Sequence, residues 1–213
     1  MPRKPFQTCS ESYYHLSARC NNGDWFDQPL EIVWDTMSRY LHFLHFAFGV
    51  RIKSFVLMAN HFHLIARFPE GNISAAMLYF MRETSKAIAK QDQRINHVYG
   101  GRFFRSRITN DHHLSHVYKY VYRNPVEAGV VTRAEDYRFS TLNGVLGRAH
   151  LLIPLECDVY LFTYGPWPAL HWLNHQPEDS ARLCIKRALK HPLFRIAEPR
   201  SKRTPHPLET YLY

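Results

Sequence analysis

Two histidines separated by a single residue, His61 and His63, have the spacing of a small metal site. They lie in residues 56–65, a run whose aliphatic and aromatic residues favour a β-strand. Side chains two positions apart on a strand share a face and lie about 7 Å apart along it. Two imidazoles can therefore converge on one divalent ion while Phe62 points into the opposite, buried layer. The alternative is two unrelated strand histidines in a chain that has 14 of them.

A second candidate for chemistry is the tyrosine-rich run at residues 118–125 (YKYVYRNP). In a helix, the apolar residues of this segment form one stripe, with Tyr118 at its edge and Tyr120 well off it. Tyr120 shares a helix face with His113, seven residues earlier, and with Asn124, four residues later, so that face offers a phenol, an imidazole and an amide. The alternative for any single tyrosine, among 13 in the chain, is a packing role.

The chain is strongly basic, which favours a polyanionic partner. It has 27 Lys and Arg residues against 18 Asp and Glu residues, and a formal net charge of +9. Nucleic acid is the commonest polyanion that such proteins bind. Arg102, Arg105 and Arg107 alternate along a predicted strand and are expected to project to one side, where they could follow a phosphate backbone. The alternative for these arginines is a sheet edge kept soluble by charge.

The elements that must position these residues follow in the order strand, helix, strand, strand, helix, strand. Strands are predicted at residues 13–19, 50–59, 61–68 and 103–109. The first helix is predicted to begin at Pro29 and to end at a Gly49 cap, and the second to begin at an Asn72 cap and to carry a basic face. The basic residues of that face are Lys86, Lys90 and Arg94. This order matches a ferredoxin-like, split βαβ antiparallel sheet with helices on one face, which is an α+β fold.

A further helix follows this sheet and bears the tyrosines. It is predicted to begin at an Asp111 cap. It is predicted to end near Asn124, because Pro125 disfavours helical backbone in the residue before it.

The chain is predicted to consist of one domain over residues 1–150 and an extension over residues 151–213. Beyond residue 150 the hydrophobic pattern weakens, and within it only residues 177–190 have a strongly helical pattern. The prolines that interrupt this part are Pro154, Pro166, Pro168 and Pro177. The tail from His191 is basic and proline-rich and is expected to form an arm rather than a packed layer. Its basic residues include Arg195, Arg200, Lys202 and Arg203.

Cysteine spacing and hydropathy exclude several classes of protein. The four cysteines contain no CxxC pair, which argues against a zinc ribbon or a thioredoxin-type redox centre. No stretch reaches the roughly 18 uninterrupted apolar residues of a spanning helix. The charged start is not followed by the apolar run of a secretory signal. We therefore expect a reduced, cytoplasmic protein with no membrane partner.

Four motifs of the chain occur in an order that is typical of one known family. They are residues 14–19 (YHLSAR), 58–63 (MANHFH), 120–130 (YVYRNPVEAGV) and 136–141 (DYRFST). Together they resemble the REP-associated tyrosine transposases, which are single-tyrosine members of the HUH endonuclease superfamily. The resemblance covers roughly residues 10–145, and the combined pattern is more specific than any one of its motifs.

The resemblance implies that residues 1–150 form a HUH-type nuclease domain. In it, His61 and His63 would hold the metal ion, with Phe62 as the bulky residue between them. Tyr120 matches the first tyrosine of the family's Tyr-x-x-x-Asn-Pro motif and is the implied nucleophile. Asn124 falls where related enzymes place a further polar metal ligand, which is often a longer glutamine.

The implied activity is that of a metal-dependent single-stranded DNA endonuclease and strand transferase. With Mg²⁺ or Mn²⁺ polarising the scissile phosphate, the Tyr120 oxygen would attack in line and form a 5′-phosphotyrosine link that a second DNA end can reverse. Nearby basic residues, the metal ion, or His113 or His116 as a proton acceptor could assist the phenol. The implied substrate is single-stranded DNA with a palindromic repeat that folds into a hairpin. The candidate DNA contacts are Arg19, Arg102, Arg105 and Arg107.

Two other functions stay open at this point. A DNA- or RNA-hairpin-binding protein that has lost catalysis would need the basic surface and the fold, but neither Tyr120 nor the histidines. A metal-dependent phosphodiesterase would use an activated water, although two histidines with no carboxylate cluster nearby make a poor hydrolytic site. The chain is expected to act as a monomer or a homodimer, and the long extension favours the monomer.

Overall fold

A four-stranded antiparallel sheet organises the molecule, whose computed structural model describes residues 8–92, 98–157, 162–196 and 207–210. The strands are β1 (Tyr13–Arg19), β2 (Arg51–Leu57), β3 (His61–Arg67) and β4 (Phe104–Ile108). Their order across the sheet is β2-β3-β1-β4, and every neighbouring pair is antiparallel. The predicted α+β, ferredoxin-like arrangement is confirmed. Within these ranges, no helix is both long and apolar enough to cross a bilayer.

Two long helices cover one face of the sheet. Their bounds are Leu30–Phe48 for α1 and Ile73–Asp92 for α2. Side chains alternate along β3, so Phe62 points to this face, where its ring centroid lies 5.5 Å from that of Phe80 in α2. Phe55 of β2 meets Trp34 of α1 on the same face, with ring centroids 5.6 Å apart. These contacts make this side of the sheet a dry, aromatic core.

A third helix, α3 (Asp111–Glu127), packs on the opposite face, against β2 and β3. It carries the three tyrosines of the predicted run. Tyr118 and Tyr122 are buried and their rings stack with centroids 5.9 Å apart, whereas Tyr120 is half-buried. The sheet thus separates an aromatic core from the surface that faces the tyrosine helix.

The end of α3 differs from the prediction, because Pro125 lies inside the helix rather than beyond it. A proline lacks the backbone N–H that would bond back to the preceding turn. Close to the end of a helix this loss is small, and the N–H of Ala128 still donates to the carbonyl of Asn124 at 3.0 Å. The extra turn keeps Asn124 on the same rigid helix as the tyrosines.

The predicted helix caps form at some ends and not at others. Gly49 ends α1 with a φ of 66°, the left-handed conformation that was predicted. Asn72 precedes α2 as predicted, but its amide nitrogen donates to the end of α1, and its Oδ1 has no hydrogen-bond partner within the described ranges. The predicted cap of α3 was Asp111. Asn110 takes this role instead, because its Oδ1 accepts the N–H of His113 at 2.7 Å.

Four shorter helices follow α3 and complete the described part of the chain. They are α4 (Leu142–Val145), α5 (Pro166–Asn174), α6 (Asp179–Ala188) and α7 (Pro207–Thr210). Helix α6 confirms the predicted helix in residues 177–190, and both α5 and α6 pack on α3. Helix α5 was not predicted, because its prolines suggested a break. Pro166 occupies the first position of α5, where a missing N–H costs nothing.

Later segments cover both outer edges of the sheet. On β2, the N–H of Leu57 donates to the carbonyl of Phe139, and the carbonyl of Ile52 accepts the N–H of Glu156. On β4, Arg107 exchanges backbone hydrogen bonds with residues 192–194. Each edge is therefore paired with the chain's own backbone.

The described part of the C-terminal tail packs on the protein instead of forming the predicted arm. Phe194 and Leu208 are both buried. The arm was predicted from the number of basic residues and prolines, and that prediction did not consider these two apolar residues, which favour burial. The predicted arm residues Arg200, Lys202 and Arg203, and Arg94 of the predicted basic face of α2, lie outside the described residues.

Candidate active site

The two histidines of β3 lie on the sheet face that meets α3. Alternation along the strand gives His61 and His63 one face and Phe62 the other, as predicted. The centroids of the two imidazole rings are 4.9 Å apart, and their planes are nearly perpendicular at 86°. His63 is buried, with 5% of its surface exposed, whereas His61 is half-buried at the start of the strand.

The ring of His61 is held by the side chain of the preceding residue, Asn60. The amide nitrogen of Asn60 donates to the carbonyl of Gly23 at 2.7 Å, which fixes the orientation of that amide. Its Oδ1 lies 2.7 Å from Nδ1 of His61 and can only accept a hydrogen bond, so Nδ1 carries the ring proton. Nε2 of His61 therefore keeps a free lone pair.

The ring of His63 is held by a histidine of the neighbouring strand, His15. Nε2 of His15 lies 2.8 Å from Nδ1 of His63, and both rings are buried. Nε2 of His63 has no hydrogen-bond partner among the described residues, which leaves a polar nitrogen buried beside α3. A buried polar atom without a partner is rare in proteins and marks a candidate ligand position.

Tyr120 and Asn124 of α3 lie beside the rings of His63 and His15. The ring of Tyr120 meets the ring of His63 edge-on with centroids 5.7 Å apart, and that of His15 at 6.1 Å. The amide nitrogen of Asn124 donates to the carbonyl of Tyr120 at 2.7 Å, which leaves Oδ1 for another partner. The structure thus brings the predicted phenol and amide beside His63, and the ring of His61 meets that of His63 edge-on.

Burial keeps the three imidazoles of the site neutral. Removal from water lowers the pKa of His15 to about 3 and that of His61 to about 4, and the charge of Arg19 acts in the same direction on His61. Burial also holds the pKa of His63 well below its ordinary value. The Asn124 side chain partly opposes that shift, although it does not reach hydrogen-bonding geometry at Nε2. Neutral imidazole is the form that binds metal ions.

The phenol of Tyr120 is less acidic than a tyrosine in water. Burial raises its pKa, and the positive charges of Arg19 and Arg182 partly offset that rise. Arg182 belongs to α6, which closes a small cavity of about 60 Å³ against α3 that Tyr120 also lines. The extension beyond residue 150 therefore contributes a positive charge beside the tyrosine.

The site can be compared with known proteins through both sequence and fold. A family model described as "Transposase IS200 like" matches residues 8–124, which is more than half of the chain. The chain belongs to the IS200-like transposase family. A solved structure described as "Structure of the REP associates tyrosine transposase bound to a REP hairpin" has the same fold, with a TM-score of 0.57 and 20% sequence identity. The match covers 78% of this chain and 98% of that chain, whereas the comparison with curated proteins gives no match.

The four arginines predicted to contact DNA do not share one surface of this transposase. Arg19 ends β1 opposite His61 in the sheet register, is exposed, and lies on the histidine face. Arg105 and Arg107 do project to a common side of β4, as predicted, but their register partners, Leu16 and Tyr14, face α1 and α2. Arg102 precedes β4, and its spacing of three from Arg105 would place it on the other face of a strand, so the predicted alternation is wrong for this residue.

His113 and His116, the predicted proton acceptors, contact the C-terminal segment. Nε2 of His113 lies 2.9 Å from a carboxylate oxygen of Glu209. Nε2 of His116 lies 2.8 Å from the carbonyl of Leu208. His113 was expected to share a face with Tyr120, but seven residues of helix separate them by about 10 Å along the axis. The Nε2 atoms of both rings thus bind the segment at residues 207–210.

The contributions of His15, Asn60 and Arg182 were not predicted from the sequence. The alternation of β1 could have placed His15 on the same face as Arg19. Its contact with His63 could not be found this way, because it depends on the register of two strands 48 residues apart. Arg182 lies on a helix that was predicted, but nothing local to α6 shows that it packs beside Tyr120.

Proposed function

We propose that the chain is a metal-dependent, single-stranded DNA endonuclease and strand transferase that acts on repeat hairpins through a 5′-phosphotyrosine intermediate. The observation that carries the proposal is the contact of the half-buried Tyr120 ring with the buried ring of His63, whose Nε2 has no partner within the described ranges. A candidate nucleophile and a candidate ligand nitrogen on facing elements are two parts that this chemistry requires.

The donor atoms can hold one divalent ion, which is proposed to be Mg²⁺ or Mn²⁺. Across the described residues, no three His, Cys, Asp or Glu side chains form a metal-site cluster. The proposed donor set is instead the Nε2 atoms of His61 and His63 and the Oδ1 atom of Asn124. Two neutral nitrogens and one amide oxygen carry no charge, so the phosphate of the substrate would complete the coordination. The bound ion would polarise the scissile phosphate and stabilise its developing charge.

The residues of the chain supply the remaining steps. The Oη atom of Tyr120 attacks phosphorus, a new O–P bond forms, and the bond from phosphorus to the 3′ oxygen breaks. The phenolic proton is lost to solvent and the leaving 3′ oxygen gains one, so protons balance. Arg19 and Arg182 favour the phenolate through their charge. Because the phosphodiester's energy is kept in the phosphotyrosine link, a 3′ hydroxyl of another DNA end can reverse the reaction and complete strand transfer.

Repeat hairpins are proposed as the substrate because the fold is that of a REP-associated tyrosine transposase bound to a REP hairpin. Arg19, exposed on the histidine face, is proposed to contact the single strand near the site. Arg102, Arg105 and Arg107 are proposed to contact DNA outside the site. Residues 1–150 are proposed as the nuclease domain, with residues 151–213 as an extension that packs on α3.

Covalent capture of labelled DNA tests this proposal. The protein is incubated with a labelled single-stranded hairpin and Mn²⁺, and the products are separated on a denaturing gel. We expect a protein–DNA adduct that is lost in Tyr120→Phe and kept in the control variant Tyr118→Phe, whose ring is buried against Tyr122. An adduct that survives in Tyr120→Phe would refute the assigned nucleophile. Binding without any adduct would favour a hairpin-binding protein, and cleavage without attached protein would favour an activated water.

A further inference from the structure

In the hydrogen bond between His15 and His63 either ring can be the donor, whereas in the hydrogen bond between Asn60 and His61 only the histidine can donate. Nε2 of His15 and Nδ1 of His63 are 2.8 Å apart, and the two ring planes differ by only 25°. Both rings are buried, with 3% and 5% of their surfaces exposed. A neutral imidazole has one N–H and one lone pair, so either nitrogen of this hydrogen bond can be the donor.

The direction of this hydrogen bond decides whether His63 can bind a metal ion. If Nε2 of His15 donates, then Nδ1 of His63 accepts, and the ring proton of His63 is on Nε2. That nitrogen then has no lone pair to offer. If Nδ1 of His63 donates, its Nε2 has a lone pair that points to the space beside Asn124 and Tyr120.

Asn60 leaves no such choice to His61, because its Oδ1 only accepts. A histidine partner can accept as well as donate, so the tautomer of His63 depends on the state of His15. The second nitrogen of His15, Nδ1, is also buried and has no partner among the described residues. No hydrogen bond to Nδ1 within these ranges therefore fixes the tautomer of His15.

We propose that His15 is a positioning residue for the metal ion: its Nε2 accepts a hydrogen bond from the Nδ1–H of His63 and thereby leaves Nε2 of His63 as the ligand atom. The inference rests on the proposed function, since it assumes that His63 is a ligand. In the metal-bound state both rings are neutral, His63 carries its proton on Nδ1, and His15 carries its proton on Nδ1. The pair holds two protons in either direction of the hydrogen bond, so a change of direction releases none.

Nitrogen NMR of histidine-labelled protein, recorded with diamagnetic Mg²⁺, measures this tautomer directly. We expect His63 to show a protonated Nδ1 and an unprotonated Nε2, with a scalar coupling across the hydrogen bond to Nε2 of His15. In His15→Phe the coupling is lost and Nε2 of His63 becomes the protonated nitrogen. A Mg²⁺-bound wild-type protein in which Nε2 of His63 keeps its proton would overturn the proposal.

Mn²⁺ affinity, measured by electron paramagnetic resonance without DNA, provides a second readout. Loss of the partner that orients a metal-binding histidine typically weakens binding by roughly 10–100-fold, which is the effect expected for His15→Phe. His15→Gln retains an oxygen that can accept the proton and should weaken binding less. The matched control is Ser106→Ala, because Ser106 is buried and is the β4 register partner of His15 on the side away from His63.

These measurements separate the inference from the proposed function. If both His15 variants bind Mn²⁺ as tightly as Ser106→Ala, the role of His15 is refuted, even where the wild-type protein forms the DNA adduct. If the tautomer and the loss of affinity are as expected but no adduct ever forms, the proposed reaction fails and the role of His15 stands.

Discussion

Three histidines of the sheet and three histidines of α3 form two separate groups. The groups differ in what their ring nitrogens bind. The strand group consists of His15, His61 and His63. The helix group consists of His112, His113 and His116 near the start of α3. In the helix group, the Nε2 atoms of all three rings contact the C-terminal segment, at the carbonyl of Leu208 or the carboxylate of Glu209. In the strand group, Nε2 of His63 has no partner in the described part of the chain.

This difference separates a candidate ligand histidine from a histidine with a packing role, which burial alone does not do. His63 and His116 are both almost fully buried, and burial lowers the pKa of both. His116 satisfies its Nε2 with a backbone carbonyl, so it holds the segment at residues 207–210 in place. His63 instead points an unsatisfied nitrogen at the space beside Tyr120, and a protein retains such an atom at a cost of about 1–3 kcal/mol.

The largest effect is expected from a matched pair of substitutions, one in each group. His63→Ala should slow adduct formation in Mn²⁺ by on the order of 10²–10³-fold, because it removes a ligand of the ion that stabilises the transition state. His113→Ala should change the rate little, since its ring contacts Glu209 rather than Tyr120. Single-turnover rates with the labelled hairpin measure both. Equal losses in the two variants would contradict the distinction between the groups.

Metal binding should stabilise the protein only through the strand group. Wild-type protein and His113→Ala should both gain about 2.7 kcal/mol of unfolding free energy at a Mn²⁺ concentration 100 times the dissociation constant, and EDTA should reverse the gain. His63→Ala should gain much less at the same concentration. Differential scanning fluorimetry checks this, and a similar Mn²⁺ response in His63→Ala would argue against His63 as a ligand.

Acid should destabilise the protein through both groups, since burial lowers the pKa of His15 and His61 as well. In the helix group it acts through His116, because burial lowers the pKa of that imidazole to about 4. The charges of His112 and His113 act in the same direction, and the carbonyl of Leu208 and the charge of Glu209 oppose them. As the pH falls below about 6.5, the unfolded chain binds a proton that the folded chain does not, so stability falls.

His116→Gln removes the imidazole that takes up this proton but keeps a hydrogen-bond donor for the Leu208 carbonyl. Between pH 7 and pH 5, the variant should lose up to about 2 kcal/mol less unfolding free energy than the wild-type protein. Urea unfolding at both pH values measures the difference. Identical pH dependence would show that His116 takes up its proton equally well in the folded chain.

The smallest expected effect concerns the two faces of the sheet rather than the two histidine groups. Arg19→Ala should reduce the salt dependence of binding to an unpaired oligonucleotide by about 0.7 logarithmic units per tenfold change in salt, the amount expected for one lost phosphate contact. Arg105→Ala should leave that slope unchanged, because Arg105 projects from the opposite face and its proposed DNA contact lies outside the site that holds the unpaired strand. Fluorescence anisotropy over a series of salt concentrations distinguishes them. The same loss of slope in both variants would show that the strand contacts both faces.

Elements with a strong local pattern could be predicted from the sequence. The four strands were predicted close to their observed bounds, because alternation and aromatic content are local properties. For the same reason, the pattern around His61 and His63 was enough to place both rings on one face. Pro125 and Pro166 misled the prediction, since the cost of a proline depends on its position within a helix and the sequence alone does not show that position.

The partners of the site residues could not be predicted, because they depend on tertiary structure. His15 meets His63 only when β1 and β3 pair in one particular register. Likewise, Arg105 and Arg107 could be assigned to one side of β4, but the face that this side joins is set by pairing with β1. The sequence thus predicted candidate ligands and a candidate nucleophile, but not the residues that contact and orient them.

The covered edges of the sheet have a consequence for how this chain behaves in solution. An uncovered edge strand offers a row of free N–H and C=O groups to any other chain, and proteins use such edges to join sheets or aggregate through them. Here β2 is paired with residues near Phe139 and Glu156, and β4 with residues near Leu193. Two copies therefore cannot extend one sheet into another through these paired groups. Removing the chain beyond residue 138 would expose both edges together, so such a fragment should self-associate through its sheet edges more readily than the full chain.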